Sequence, residues 1–315
     1  MSILGLDLGG TKLAVALFAP SGEVISREAI PLGDRKGHEV GDLIANVVRT
    51  YAGPTNNDLR SIGVSIPGIS HRETGTVWAP NIPGWDDYPL LNEIGSVAGG
   101  IPVTIDNDRA CSILGESWLG NARNCKDAIF LAVGTGIGAG VLADGQILRG
   151  AHDIAGAIGW MALQKPFLMK YISYGCFEYY ASGDGIARLT REMLASEQGY
   201  TGILRNQGTG QATALHVFAA YEDKDPVATK VIGLCVEYWG MAVANLISIF
   251  NPEKIIFGGG VFGPAIKFIP QIKDEALKWA QPISASQVTL VESALGGNAA
   301  IYGAGFLALH NPHLR

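Results

Sequence analysis

The chain begins with short apolar runs separated by turn residues rather than with helical stripes. Residues 2–7, 12–18 and 23–30 read as three strands, the first pair joined through Gly9-Gly10-Thr11 and the second through Pro20-Ser21-Gly22. Such close spacing predicts consecutive antiparallel strands. Val40, Leu43, Ile44, Val47 and Val48 fall on one stripe and predict a helix over 40–51. Runs at 61–66 and 103–106 read as buried strands, ending at Pro67-Gly68 and at Asn107-Asp108, with a helix expected over 108–119. The opening pattern then returns: a strand over 128–133, a Gly/Thr-rich turn over 134–140, and a hairpin about Asp144-Gly145. Helices follow over 213–222 and 226–250, the second apolar nearly all round and so expected between layers. Strands are predicted over 254–257 and 288–291, and a closing helix rich in Ala and Gly over 297–309.

The unit "strand, Gly/Thr-rich turn, strand" thus occurs twice, more than a hundred residues apart. This implies a duplicated domain in which each half supplies one glycine turn. In the first, Asp7-Leu8-Gly9-Gly10-Thr11-Lys12, glycines let backbone N–H groups approach an anion closely. Thr11 adds a hydroxyl, and Asp7 at a strand end suits a hydrated Mg²⁺ beside a phosphate. No GxxxxGK[ST] sequence is present at this turn, so it is not a Walker loop. An ordinary Gly-Gly hairpin is the alternative reading of this turn taken alone.

Composition narrows the function classes. The 315 residues allow two domains or one large one, and 48% hydrophobic residues suffice for a substantial core. The formal charge of −6 is spread along the chain without a basic cluster, which argues against a nucleic-acid partner. No basic n-region precedes Ile3, and the apolar stretch 128–141 is short and glycine-rich, so neither a signal peptide nor a membrane span is expected. The four cysteines lack CxxC spacing and read as free thiols of a cytoplasmic protein.

Four motifs in order, Asp7-Leu8-Gly9-Gly10-Thr11-Lys12, Asn107-Asp108, Gly134-Thr135-Gly136-Ile137-Gly138 and Gly175-Cys176-Phe177-Glu178, resemble those of the ROK family (repressor, open reading frame, kinase) across nearly the whole chain. The resemblance implies an α/β, actin-like and hexokinase-like (ribonuclease H-like) fold with two lobes and a nucleotide and sugar cleft between them. The lobes are expected over 1–108, with a closing helix at about 298–315, and over 109–297. It implies an ATP- and Mg²⁺-dependent sugar kinase, with Asp108 as the base that takes the proton of a hexose hydroxyl, most simply the 6-OH of glucose or a close relative. ATP phosphates match Asp7, Gly9, Gly10, Thr11, Lys12, Gly134, Thr135, Gly136 and Gly138, and Gly258, Gly259 and Gly260 back the adenosine. Asp7 holds Mg²⁺ through water. The sugar positions are Pro67, Gly68, Asn81, Asn107, Asp108, Glu178 and Trp160. A homodimer is expected, without nucleic acid or membrane.

The plainer roles are a helix N-cap for Asp108, a turn for Asn81, packing for Trp85 and a solvated strand position for Lys12. The rival functions are a kinase for an N-acetylhexosamine or unusual sugar, and a sugar-responsive sensor or regulator; the hairpin starting at Ile3 leaves no room ahead of it for a helix-turn-helix.

The chain departs from the family at its zinc site. The family's A-G-E-x-G-H stretch is here Ala155-Gly156-Ala157-Ile158-Gly159-Trp160, so Glu becomes Ala157 and His becomes Trp160. Two of the three family thiols become Met169 and Tyr171, leaving Cys176. One ligand of four does not make a tetrahedral site, so no zinc is expected. Apolar packing of Trp160, Met169 and Tyr171 is expected to hold the loop instead.

Overall fold

A computed structural model describes residues 1–53, 58–206 and 212–310. The chain divides into two compact units, one of 1–124, 147–155 and 297–315, the other of 125–146 and 156–296.

In the first unit β1 (Ser2–Leu8), β2 (Lys12–Phe18) and β3 (Val24–Pro31) form the expected antiparallel meander. Helix α1 (His38–Tyr51) leads to β4 (Leu59–Ile66), which lies parallel to β1. A hairpin of β5 (Ile69–His71) and β6 (Thr76–Trp78) follows, then α2 (Leu90–Val97). Strand β7 (Val103–Asn107) pairs in parallel with β4 and runs directly into α3 (Asp108–Leu119). The sheet order is β3-β2-β1-β4-β7. Leu4, Leu6, Val15, Ile62, Val64, Val40, Ile44 and Val48 are buried together, which explains the stripe on α1 and the alternation on the strands.

The second unit repeats this order. Strands β8 (Ala128–Val133), β9 (Ile137–Ala143) and β10 (Gln146–Ile147) begin it, and β11 (Lys254–Gly258) and β12 (Thr289–Glu292) complete the sheet β10-β9-β8-β11-β12. The duplication read from the two glycine turns is therefore a duplication of topology. Between β10 and β11 come α4 (Cys176–Ala181), α5 (Gly183–Ser196), α6 (Ile203–Asn206), α7 (Ala214–Glu222) and α8 (Pro226–Phe250). Helix α8 is long and apolar enough to cross a membrane by length and composition alone. Here Val231, Cys235, Trp239, Val243 and Leu246 bury it in the core of the unit. Asp225 caps it, accepting from Val227 N and Ala228 N. Helices α9 (Ile269–Leu277) and α10 (Pro282–Gln287) precede β12.

The last helix, α11 (Ala299–Leu309), belongs to the first unit. Its small residues let backbones meet. A Cβ on Gly303 would stand 1.7 Å from Cys111 O of α3, and one on Gly63 would stand 1.9 Å from Ala304 O. The expected closing helix over 298–315 is described as far as 310; residues 311–315 lie outside the described residues.

Candidate active site

The parallel register places Asp7 beside Ser65 and Ser65 beside Asp106, in one row across the carboxyl ends of β1, β4 and β7. In open α/β sheets ligands bind beyond these strand ends. Asn107 and Asp108 follow Asp106 immediately, so three of the singled-out polar side chains, Asp7, Asn107 and Asp108, come to one edge.

Asn107, not Asp108, is the cap of α3. Its Oδ1 accepts from Ala110 N at 2.9 Å and its Nδ2 donates to Asp106 Oδ1 at 3.1 Å. Both ends of the amide are thus engaged at a position assigned from resemblance to the sugar. The N-cap reading of Asp108 is corrected accordingly. As the first residue of the helix, Asp108 keeps its carboxylate out of the cap, and its side chain is 49% exposed. Its nearest cation is Arg109, with Nε 3.9 Å away. Arg109 instead donates from Nη2 to Gly68 O at 3.0 Å, tying the Pro67-Gly68 corner to α3. Lost hydration raises the Asp108 carboxyl above its usual range, with Arg109 opposing.

Asp7 is perturbed in the same direction. Lost hydration pushes it up to about 6, with Ser65 lowering it and the like charge of Asp108 raising it. Ser65 Oγ is buried and makes no hydrogen bond of normal geometry, yet it lies close enough to Asp7 to favour the carboxylate. A desolvated carboxylate beside an unpartnered buried hydroxyl is an oxygen donor set that fits a hydrated Mg²⁺. Thr11 and Lys12 are exposed at the turn, Gly9 N donates to Lys12 O at 2.9 Å, and the Asn81 amide lies against Gly10.

One ion pair absent from the sequence reading holds this edge together. Arg149 Nε and Nη2 both donate to Asp106 Oδ2, at 2.9 and 2.6 Å. Asp106 Oδ1 meanwhile accepts from Asn107 N at 2.8 Å. A buried carboxylate next to Asn-Asp was a signal for such a partner, but nothing local in sequence identifies a residue forty positions on.

The other assigned residues gather in the second unit. Gly258 is paired with Ala132, which sets Gly259 against Val133 and brings Gly258–Gly260 beside the 134–138 turn. Gly259 has φ 87°, and a Cβ there would lie 2.4 Å from Val133 O, so only glycine fits. Glu178, on α4, accepts from Ile137 N at 2.7 Å through Oε2. A Cβ on Gly136 would come 2.8 Å from that same oxygen. Glu178 thereby braces the second glycine turn; lost hydration raises its carboxyl, opposed by the Ile137 N–H and Arg188.

Two expectations about the loop around Trp160 and Tyr171 need correction. Trp160 is 57% and Met169 75% exposed, so neither packs the loop, while Tyr171 is buried. Trp160 stands at the end of a single 3₁₀ turn (Ile158–Trp160). What organises the segment is polar. Gln164 Nε2 donates to the Tyr171 and Tyr180 hydroxyls and Gln164 Oε1 accepts from Tyr238. Among the described residues no three His, Cys, Asp or Glu side chains gather to hold a metal. Trp85 packs as the plainer reading had it: it is 1% exposed, stacked on Tyr88 at 4.5 Å.

The ROK family model matches residues 3–311. A glucokinase of Halalkalibacterium halodurans is 32% identical over 314 residues, covering 96% of this chain and 94% of that protein. A xylose repressor of Caldicellulosiruptor bescii is 32% identical over 265 residues, covering 82% of this chain and 65% of the repressor. A ROK family glucokinase from Streptomyces griseus, solved with glucose and AMPPNP, superposes with a TM-score of 0.78 at 27% identity, covering 98% of this chain and 99% of that one.

Proposed function

The chain belongs to the ROK family, and from that premise we propose that it transfers the γ-phosphoryl group of ATP to a hexose hydroxyl, with Asp108 as general base. It is a sugar kinase with the mixed α/β, two-lobed fold of its relatives. Likeness to the glucokinases of H. halodurans and S. griseus supports glucose or a close relative as acceptor, and the AMPPNP in the latter supports ATP as donor.

The observation that carries the reading is the state of Asp108. The helix start fixes it, Asn107 relieves it of capping, and desolvation raises its basicity while leaving it half exposed. Phosphoryl transfer asks little covalent work of a protein; alignment and charge stabilisation dominate. Asp108 accepts the proton of the attacking hydroxyl. The N–H groups and Thr11 of the first turn, and those of the 134–138 turn, suit phosphate oxygens. Asp7, with Ser65 beside it, would hold Mg²⁺, which when bound supplies positive charge to the phosphate oxygens. Asn81, Gly68 and Glu178 complete the proposed sugar contacts.

Ala157 supports a second reading, an acceptor bulkier at the edge that the family's Glu addresses, such as an N-acetylhexosamine. A homodimer, a cytoplasmic location and the absence of nucleic-acid and membrane partners are part of the same proposal.

Coupled ADP-release assays over hexoses and N-acetylhexosamines test it. Asp108→Asn is expected to lower kcat by about 10²–10⁴-fold with the sugar KM little changed. Equal rates for wild type and variant with every accepted sugar would overturn the assignment. Light scattering on the purified chain reads the oligomeric state.

A further inference from the structure

Asn81, a proposed sugar contact, stands on neither a strand nor a helix but in the loop that leads from β6 to α2. It is exposed, and its Nδ2 lies 3.9 Å from the place a Cβ on Gly10 would take in the first glycine turn. Three backbone hydrogen bonds fold residues 79–85 on themselves. Ile82 N donates to Ala79 O at 3.0 Å, Trp85 N to Ile82 O at 3.1 Å, and Ala79 N to Trp85 O at 2.8 Å. Asn81 lies within this closed turn, so its amide goes where the turn goes.

The turn is fastened to Gly37, the residue ahead of α1. Gly37 N donates to Pro83 O at 3.0 Å, and Trp85 Nε1 donates to Gly37 O at 3.0 Å. Gly37 thus uses both of its backbone groups on the loop that carries Asn81. Its φ of 48° is one that glycine adopts without strain. The indole is held in turn: Trp85 is 1% exposed and lies nearly parallel to Tyr88, and a Cβ on Gly41 of α1 would stand 2.1 Å from the Tyr88 hydroxyl.

The anchor is also tied to the phosphate turn. Leu32 N donates to Thr11 O at 2.9 Å, so the short segment 32–37 touches the first glycine turn at one end and the Asn81 loop at the other. Packing alone accounts for the burial of Trp85 but not for the direction of its N–H. A buried indole must place that donor on an acceptor. Here the acceptor is the residue that also holds Pro83, two positions from Asn81.

We propose that Trp85 is a positioning residue for the sugar: by donating to Gly37 O it fixes the 79–85 turn and so holds the Asn81 amide against the first glycine turn. This rests on the kinase reading above, with Asn81 as a sugar contact.

The test is a double-mutant cycle of Trp85→Phe and Asn81→Ala, read by initial rates with glucose and ATP and by calorimetric glucose binding. Trp85→Phe keeps an aromatic ring beside Tyr88 and removes the N–H. It is expected to raise the glucose KM about three- to tenfold, the worth of one hydrogen bond, with kcat and the ATP KM within about twofold. In the Asn81→Ala background the same substitution is expected to move the glucose KM by less than about twofold, because the residue it positions is gone. Gly84→Ala strains the same contact with the indole intact, since Gly84 has φ 90° and a Cβ there would stand 3.5 Å from Gly37 Cα. It is expected to follow the same pattern, so the result does not hang on the folding of one variant. Tyr88→Phe loses a hydrogen bond to Glu93 but not the link to Gly37, and is expected to leave the glucose KM unchanged. The proposal is overturned if Trp85→Phe and Gly84→Ala leave the glucose KM unchanged, if they raise it equally with and without Asn81, or if Tyr88→Phe raises it as much. It is overturned too if Asn81→Ala alone leaves glucose affinity intact, since Trp85 would then have no sugar contact to position. Failure of the kinase reading looks different: no sugar is phosphorylated, while glucose binding still weakens in Trp85→Phe and no further in the double variant than in Asn81→Ala.

Discussion

Arg149 and Asp106 meet at 2.6 Å, and through that contact a strap of the first unit holds the residue next to the Asn107-Asp108 corner. Asp106 uses its other oxygen on the backbone and amide of Asn107, and Asn107 caps the helix that begins with Asp108. Removing the guanidinium leaves a carboxylate whose side chain is 5% exposed without its partner. Arg149→Met is therefore expected to cost about 2–3 kcal/mol, somewhat below a fully buried pair because Arg149 is partly solvated. Asp106→Asn in the same background restores part of the loss, since the amide needs no counter-charge. Urea denaturation of the two single variants and the double variant reads the coupling; additive losses would mean that the pair is not coupled.

Asp7 gives a pH prediction of opposite sign to the common carboxylate case. Its folded-state value of about 6 lies above its ordinary 3.8, so the native protein binds this proton more tightly than the unfolded chain does. The stabilising protonated form is fully present below the unfolded value and is lost as pH rises through about 6. At neutral pH the charge thus costs stability, by about 1–3 kcal/mol once partial exposure is allowed for. Asp7→Asn is expected to raise Tm at pH 7.5, to match wild type near pH 4, and to lose phosphoryl transfer. Differential scanning calorimetry across that range checks it. A variant less stable than wild type at pH 7.5 would refute the desolvation account.

Much of this was legible because periodicity and turn chemistry act locally. The two glycine turns, the Asn107-Asp108 junction and the apolar α8 are each written in adjacent residues, and the structure follows them closely. What escaped was written across distance. Arg149 reaches Asp106 and Arg72 reaches Asp153 over gaps that no spacing rule spans. The β5–β6 hairpin is too short to alternate visibly, and α5, with Gly183 and Gly185 in its first turn, hides its periodicity. Trp160 and Met169 run against expectation for a related reason: being apolar does not give a side chain a core, and on their short 3₁₀ turns both stay exposed.

Gly136 and Glu178 should behave as one device. A methyl at 136 would press on Glu178 Oε2, which already holds Ile137 N at 2.7 Å. Gly136→Ala is expected to raise KM for ATP about tenfold and leave KM for the sugar within about threefold, by displacing the turn. Glu178→Ala in the same chain relieves the clash, so the double variant binds ATP better than Gly136→Ala alone, a non-additivity that initial-rate kinetics and a double-mutant cycle detect. Strict additivity would show that the two side chains do not share the turn.

The segment around Gln164 is predicted to stand without metal. Gln164 links the hydroxyls of Tyr171, Tyr180 and Tyr238, and the Tyr171 and Tyr180 hydroxyls also meet each other at 2.9 Å. Burial, with the neighbouring Tyr180, pushes the Tyr171 phenol up to about 12, so this hydroxyl keeps its proton at neutral pH. A chelator should then leave Tm unchanged, because nothing that binds only the folded state is withdrawn. Gln164→Ala, by contrast, removes the hub and is expected to cost about 1–2 kcal/mol, partly offset by the surviving Tyr171–Tyr180 contact. Tyr171→Ala opens a cavity at a buried ring and is expected to cost about 3–5 kcal/mol. Elemental analysis together with thermal melts in EDTA decides the matter: one tightly held zinc per chain, lost with a fall in Tm, would show that metal rather than the tyrosine cluster fixes this loop.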